Sequence, residues 1–281
     1  MSKGVLYIVA TPLGNLGDMT PRAVETLSHV QVIAAEDTRH SLPLLRHFGI
    51  ATPCLALHDH NERERSGELI ARLQAGESIA LISDAGTPLI SDPGYHLVHA
   101  AREQGLRVVP IPGPSALIAA LSVAGLPTDR FVFEGFLPAK MAARRHRLEA
   151  LRIEARTVVF FESGHRIVES LGDMVHVFGA DRPAVVAREL TKVFETIQGD
   201  ALSGLCQWVQ SDLHQQKGEF VVLVQGVIPA ENEETTAETE RIIRILLAEL
   251  PVKQAAALAA RITGQKRNFL YGMALRIAEH G

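Results

Sequence analysis

Cysteine is nearly absent. Cys54 and Cys206 stand alone and far apart in 281 residues, which excludes a disulfide framework and any C-x-x-C metal or redox site and leaves both as core fillers. Long apolar runs are missing as well. The longest candidate, Leu117 to Leu126, is far too short to span a bilayer and is interrupted by Ser122. The amino end carries a lone Lys3 and a brief apolar run from Val5 to Ala10 with no cleavage-site pattern, so no secretory signal is read there. A cytoplasmic setting away from membranes is expected. Nor is there an excess of positive charge: 28 Lys and Arg against 32 Asp and Glu give a formal net charge of −4. That balance argues against a surface coated for indiscriminate nucleic-acid binding, so a polyanion site must be a local patch. Two nucleotide signatures are also lacking, G-x-G-x-x-G after the first strand and G-x-x-x-x-G-K-[ST] anywhere. Ordinary dinucleotide redox chemistry and P-loop hydrolysis are therefore poor fits.

What the chain does contain is enough apolar content, 47%, to bury the cores of two or three compact units. Short apolar strands alternate with helical stretches. Strands are expected at Val5 to Ala10, Gln31 to Ala35, Ile79 to Ile82 and Arg107 to Ile111, with Thr20 capping a helix that Pro21 opens. Gly49, Gly76 and Gly105 fall where helix C-terminal caps belong. This is the rhythm of an α/β fold with a mostly parallel sheet covered by helices. After Gly125-Leu126-Pro127 a second series begins, with strands near Phe131 to Glu134, Thr157 to Phe161, Pro183 to Arg188 and Phe220 to Gln225. The expected organisation is an α/β domain over 1–125, a second over 126–228, an acidic flexible linker over 229–240 and a small all-helical domain over 241–281. In that last part Ile242, Ile243, Leu246, Leu247 and Leu250 form an amphipathic stripe. Two further helices, Val252 to Ile262 and Asn268 to Glu279, flank a basic turn at Thr263 to Arg267, where Lys266 and Arg267 are placed to meet phosphate.

The stretch Ile79 to Gly94 runs a buried-strand signal straight into a doubled Ser-Asp-x-Gly loop. Open α/β sheets bind ligands just beyond the carboxyl ends of their strands. There Asp84 can accept hydrogen bonds from sugar hydroxyls, and Gly86 lets a flat ligand lie against the backbone. A tight turn followed by a capped helix is the competing reading, and for Asp92, as N-cap with Pro93 behind it, that reading is favoured. Ser115 falls at a helix N-terminus suited to a ligand carboxylate. The first strand feeds Thr11 to Asp18, a loop of turn formers and hydrogen-bonding side chains that includes Asn15. Polar clusters follow other strands: Glu36-Asp37-Thr38-Arg39, His58-Asp59-His60-Asn61-Glu62 and Arg188 to Lys192. Arg39 can pair with Glu36 or Asp37. Alternation puts His58, His60 and Glu62 on one side of an extended segment without the usual supporting ligands, so no metal is expected. Asn61 with Glu64 matches a helix-capping pattern. From Lys140 to Arg156, basic residues including Arg144 and Arg145 outnumber Glu149 and Glu154. That run reads equally as a polyanion patch or as the solvated face of an amphipathic helix.

Taken in order, Leu6 to Asp18, Ala35 to Arg39, His60-Asn61-Glu62, Ser83 to Gly94, Gly135 to Pro138, Arg188 to Lys192 and Lys217-Gly218-Glu219 closely resemble the tetrapyrrole methylase family, in its branch that methylates small-subunit ribosomal RNA. Any one motif is weak, but their joint order is highly specific and covers almost the whole chain. Members acting on corrins and porphyrins usually begin with a G-x-G-P-G-D strand-loop, whereas this chain has Val9 to Asn15. That departure, and the appended C-terminal helices, favour RNA over a tetrapyrrole. The resemblance implies two α/β domains clasping S-adenosyl-L-methionine in the cleft between them. It further implies methyl transfer to the ribose 2′-oxygen of a cytidine in the decoding region of 16S rRNA. Cofactor contacts carry over to Pro12, Asp84, Ala85, Gly86, Thr87, Ser115, Ala116, Phe161, Glu189 and Phe220, and the family habit implies a homodimer.

A sulfonium methyl is already activated, so such an enzyme mainly aligns the ribose oxygen and excludes water. A 2′-hydroxyl is a very weak acid, and Glu36, Asp37, His60 and Glu62 are unranked candidates for the general base. Lys192 and Arg39 are assigned to phosphate or ribose positioning. Asn15, Asn61, Arg144, Arg145, Lys266 and Arg267 are the further substrate contacts expected. Two alternatives stay open: a methylase of a tetrapyrrole or other small metabolite, and a ribosome-binding assembly factor with a vestigial pocket.

Overall fold

The computed structural model describes residues 3–58, 60–227 and 233–280. One compact unit extends to Val227 and a second begins at Ile228. In the first half of the larger unit the elements run β1 (Val5–Val9), α1 (Pro21–His29), β2 (Val32–Ala35), α2 (Thr38–His47), β3 (Cys54–Ala56), α3 (Glu62–Gln74), β4 (Ile79–Ile82), α4 (Tyr95–Glu103), β5 (Arg107–Ile111) and α5 (Ala116–Val123). The second half adds β6 (Phe131–Phe136), α6 (Met141–Glu149), β7 (Thr157–Ser163), α7 (Ile167–Phe178), β8 (Pro183–Arg188), β9 (Thr196–Ala201), α8 (Leu202–Ser211) and β10 (Glu219–Val224).

The first sheet is wholly parallel, in the order β3-β2-β4-β1-β5. Every residue of β2 and β4 is buried, as a strand covered by helices on both faces requires. The chain leaves β1 toward one side of this sheet and leaves β4 toward the other. A crevice therefore opens at the carboxyl ends of these adjacent strands. The second sheet, β6-β7-β10-β8-β9, is mixed: β6 and β7 are parallel, and β10 lies antiparallel to both of its neighbours.

Although it precedes residue 125, α5 packs on the second sheet. Its Leu117, Ala120 and Leu121 share a core cluster with Val159, Val185, Val221 and Leu223. Its Ile118 and Val123 stay exposed, and the buried face fastens the two halves into one unit.

Local expectations fare unevenly. Thr20 Oγ1 accepts from the Ala23 N–H at 3.2 Å, with Pro21 opening α1, and Gly49, Gly76 and Gly105 have positive φ just past helix ends. The edge strands β3 and β9 carry no expected strand. Asp92 is not the cap of α4, which starts at Tyr95 after Gly94. The first turn is capped from another helix: the Glu62 carboxylate, 5% exposed, accepts from the Gly94 N–H at 3.0 Å and the His96 N–H at 2.7 Å. Nor does Asn61 cap α3. Its Oδ1 accepts from the His58 N–H, and its amide donates to the Ala56 carbonyl, closing a turn where an extended segment was expected.

In the smaller unit, α9 (Glu233–Glu249), α10 (Val252–Thr263) and α11 (Arg267–His280) surround Ile243, Ala256, Ala259, Leu270, Met273 and Ala274. The acidic linker read over 229–240 is thus helical from Glu233, since Glu and Ala are strong helix formers and acidic residues suit a helix N-terminus. Its first residues, like Asp59, lie outside the described residues. Among the described residues, no helix is long and apolar enough to cross a membrane.

Replacing Glu62 with Ala leaves two N–H groups at the start of α4 without their acceptor, at a cost of about 1–3 kcal/mol. Urea denaturation is expected to show the lower midpoint; an unchanged midpoint would mean that α4 is capped by other means.

Candidate functional site

A cavity of about 370 Å³ opens between the carboxyl ends of the first sheet and one face of the second. Three segments of the first sheet supply its polar wall: the loop after β4 (Asp84 to Thr87, with Ile90, Ser91 and Asp92), Glu36 after β2, and Ser115 with Ala116 at the start of α5. The second sheet supplies Phe136, Phe161, Ala187, Phe220 and Val221. A large apolar surface with a few convergent polar groups is the usual make-up of a small-molecule site.

The loop after β4 is held on both flanks. Thr11 and Gly86 exchange backbone hydrogen bonds at 2.9 and 3.0 Å, and the Thr11 hydroxyl donates to the Ser83 carbonyl. On the other flank the Thr87 hydroxyl donates to the Pro114 carbonyl at 2.9 Å. Gly86 has a φ of 81°, and a Cβ there would stand 3.1 Å from Leu13 Cδ2, so glycine serves both the backbone conformation and the space. Farther along, Leu89 and Ser91 also have positive φ, a cost borne most often at functional loops. Ser115 is the N-cap of α5, yet its hydroxyl makes no cap bond to that helix. Ser115 and Ala116 line the cavity, which sets the positive end of α5 at its wall.

Charge at the rim is arranged in pairs. Asp84 Oδ1 accepts from the Asp37 N–H at 3.1 Å, and Asp84 Oδ2 accepts from His40 Nδ1 at 2.9 Å. The hydrogen bond to Asp84 raises the His40 imidazole above its ordinary value. Asp37 is clamped by the Arg39 guanidinium, at 2.6 Å, and by the Arg39 N–H, which together bring its carboxyl down to about 2. Glu36 Oε2 accepts from the Asp84 N–H at 3.4 Å. Across the cavity, Glu162 is buried and takes the Ser163 N–H and the Ser170 hydroxyl. Lys192 Nζ lies 2.9 Å from both Glu189 and Glu219, and its stem lies over Gly14, where a Cβ would come within 2.3 Å of Lys192 Cγ. Burial works against the Lys192 ammonium, but the two carboxylates outweigh it and hold its affinity for the proton above the ordinary value.

Of the cofactor contacts expected from sequence, Asp84, Ala85, Gly86, Thr87, Ser115, Ala116, Phe161 and Phe220 line this one cavity. Pro12 is buried between the Thr11 pairing and Leu13, and Glu189 stands behind Glu219, whose N–H it accepts; neither lines the cavity itself. Among the four base candidates only Glu36 does. Asp37 is committed to Arg39, Glu62 is committed to α4, and His60 lies against His58 on the turn before α3. Among the described residues no cluster of three metal-ligating side chains exists, and Glu62 is turned to α4, away from any shared site with the two histidines.

The basic run from Lys140 needs correction. Arg144 is 2% exposed and paired with Asp173 at 2.6 Å and Glu169 at 3.2 Å, and Arg145 holds the other Asp173 oxygen. Burial pushes the Asp173 carboxyl up, but the two guanidiniums prevail and keep it below the usual carboxylate range. Arg144 therefore ties α6 to α7 and does not face a polyanion. Arg39, Asn15, Lys266 and Arg267 are exposed; Asn15 Oδ1 accepts from the Gly17 N–H, and Asn61 is spent in its turn. The apolar lining from Leu13, Ile90, Phe136, Ala187, Leu190 and Val221 and the polar groups of Ser91, Asp92, Glu162, Ser163 and Glu219 were not assigned to a ligand site from the sequence. Nor was His40, the partner of Asp84. Its position one residue past the Glu-Asp-Thr-Arg cluster was the available signal.

Residues 5–205 match the Tetrapyrrole (Corrin/Porphyrin) Methylases, and residues 233–278 match the RsmI C-terminal HTH domain. The chain is 61% identical over 277 residues to Ribosomal RNA small subunit methyltransferase I of Pseudomonas aeruginosa, covering 98% of each. It is 57% identical over 274 residues to the protein of that name from Escherichia coli O157:H7, covering 98% of this chain and 96% of the other. Among solved structures, diphthine synthase superposes with a TM-score of 0.62 at 19% identity, covering 79% of this chain and 90% of that one. Cobalt precorrin-4 methyltransferase gives 0.57 at 16%, covering 79% and 94%. These two likenesses concern the fold alone.

Replacing Arg144 with Met removes one partner of a buried pair. The expected loss is about 3 kcal/mol, toward the low end for such a break because Arg145 still holds Asp173. Chemical denaturation measures it, and a midpoint equal to the parent's would deny Arg144 its internal role.

Proposed function

The chain belongs to the tetrapyrrole methylases and, within them, to the family of the proteins called Ribosomal RNA small subunit methyltransferase I, and from that premise we propose that this methyltransferase uses S-adenosylmethionine to methylate the ribose 2′-oxygen of a cytidine in the decoding region of 16S rRNA. The observation that carries this reading is the single cavity in which eight of the ten expected donor contacts meet.

The donor's features fit what the cavity offers. At about 370 Å³ the cavity falls in the range of small-molecule sites. The N–H groups at the start of α5 and the Ser115 hydroxyl suit a carboxylate. Asp84, both oxygens already engaged, keeps lone pairs for a sugar hydroxyl. Phe136 and Phe161 offer apolar surface to a flat ring. Glu36, Asp84 and Glu219 at the wall favour a positively charged ligand. Bound there, the donor supplies an electrophilic methyl on a positive sulfur that departs as a neutral thioether.

The protein's share is alignment and removal of water. Lys192, held over Gly14 by Glu189 and Glu219, carries a positive charge to the cavity mouth, where a phosphate or ribose oxygen of the RNA can be registered. Arg39 offers a second cation at the exposed rim. Lys266, in the exposed turn before α11, and Arg267, its first residue, add contacts to the RNA backbone. We assign the same reading a homodimer that acts in the cytoplasm on the small ribosomal subunit.

The test is methyl transfer from labelled S-adenosylmethionine to small subunits from cells lacking this gene, followed by ribose-methylation mapping. Label at one cytidine of the decoding region is expected. Label in a tetrapyrrole but not in 16S rRNA, or no labelled product at all, would overturn the proposal.

A further inference from the structure

The four base candidates read from sequence leave only Glu36 at the cavity, and a carboxylate is a weak acceptor for the proton of a ribose hydroxyl at neutral pH. A better-matched group stands outside the lining, one hydrogen bond behind Asp84. His40, third residue of α2, directs Nδ1 at Asp84 Oδ2, 2.9 Å away, and Asp84 lines the cavity. The Asp84 carboxylate is itself fixed, since the Asp37 N–H holds its other oxygen and its own N–H is held by Glu36. A carboxylate only accepts, so Nδ1 carries the hydrogen and Nε2 of the neutral ring is the acceptor. The imidazole is 71% exposed, and Nε2 has no protein partner among the described residues.

Resting on the proposed function above, we infer that His40 is the general base of the reaction and that Asp84 is its positioning residue. The arrangement has the logic by which a buried or fixed carboxylate sets the tautomer and direction of a catalytic histidine. In the step, the O–H bond of the 2′-hydroxyl breaks and its proton is taken up at Nε2. The oxygen's electron pair forms the new bond to the methyl carbon, and the pair of the breaking carbon–sulfur bond stays with sulfur. The imidazolium, stabilised by Asp84, then releases the proton to water.

The groups facing the ring are Asp84 from the loop after β4 and Asp37 and Arg39 from its own helix and its cap. Asp84 and Asp37 favour the charged ring and Arg39 opposes it, so the free enzyme holds His40 protonated to a higher pH than an ordinary histidine. The base must be neutral to act. Turnover should therefore rise with pH through that raised value and fall below it.

Two readouts test this. NMR titration of the His40 imidazole in the full-length protein, without substrate, should find the Nδ1–H tautomer and a raised midpoint. The raised midpoint should be lost in Asp84→Asn, whose neutral amide cannot stabilise the charged ring. Independently, His40→Gln should lower kcat for small-subunit methylation by about 10²–10⁴-fold, abolish the rise of kcat with pH, and leave the Kd for S-adenosylmethionine by calorimetry within about twofold. A wild-type His40 that titrates at its ordinary value overturns the inference. So does a His40→Gln enzyme with the parent's kcat and pH profile. Should the parent methylate no small subunit, the function reading fails, and the titration still decides whether the His40–Asp84 pair exists.

Discussion

The site depends on one backbone pairing, the two-way hydrogen bond between Thr11 and Gly86. It joins the loops that leave β1 and β4 at the point where the strand order of the first sheet diverges, the place at which an open α/β sheet forms its crevice. With Gly86 fixed, Thr87 reaches the loop after β5, and Asp84 is turned toward the start of α2. Glu62 holds the far end of the same segment by capping α4. The loop is held by these protein contacts alone, and such preorganisation lowers the ordering cost of binding.

The second half of the chain closes the cavity because α5 belongs to its core. The helix begins with the polar N-terminus that faces the cavity and continues into the apolar cluster beneath the second sheet. One short element thereby fixes the distance between the polar wall and the aromatic wall. Lys192 over Gly14, and Ser91 within 3.0 Å of where a Gly135 Cβ would stand, add contacts between the same two halves. Two of the six basic residues expected to meet RNA are committed to a buried carboxylate instead. Arg144 and Arg145 hold Asp173, whereas Lys192 and Arg39 keep their charges near the mouth with acidic neighbours that fix their direction. In a chain of net negative charge, these two cations sit among carboxylates rather than in a broad basic patch.

The parallel sheet was legible because strands buried on both faces must be apolar throughout, as Ile79 to Ile82 and Val32 to Ala35 are. Edge strands escape that rule. Cys54 to Ala56 is too short to show a pattern, and Thr196 to Ala201 is polar on one side. The loops at the cavity were legible from turn chemistry and from the resemblance, which depends on the order of many motifs. What stayed hidden were partnerships across long sequence separations: Glu62 with the N-terminus of α4, Arg144 with Asp173, His40 with Asp84. A helix signature describes one helix, so Asn61 and Asp92 looked like caps while the acting cap came from Glu62, more than thirty residues from the N–H groups it serves. The apolar lining, from Leu13 to Val221, was invisible for a different reason: side chains that shape a cavity have the same composition as those that fill a core.

The most direct measurement is hydrogen exchange of the protein with and without S-adenosylhomocysteine, the product that keeps all of the donor except its methyl. The account predicts slowed exchange at Asp84 to Thr87 and at the first amides of α5, together with the β7 and β10 segments around Phe161 and Phe220. Slowing confined to other segments, or an unchanged pattern at saturating ligand, would contradict it.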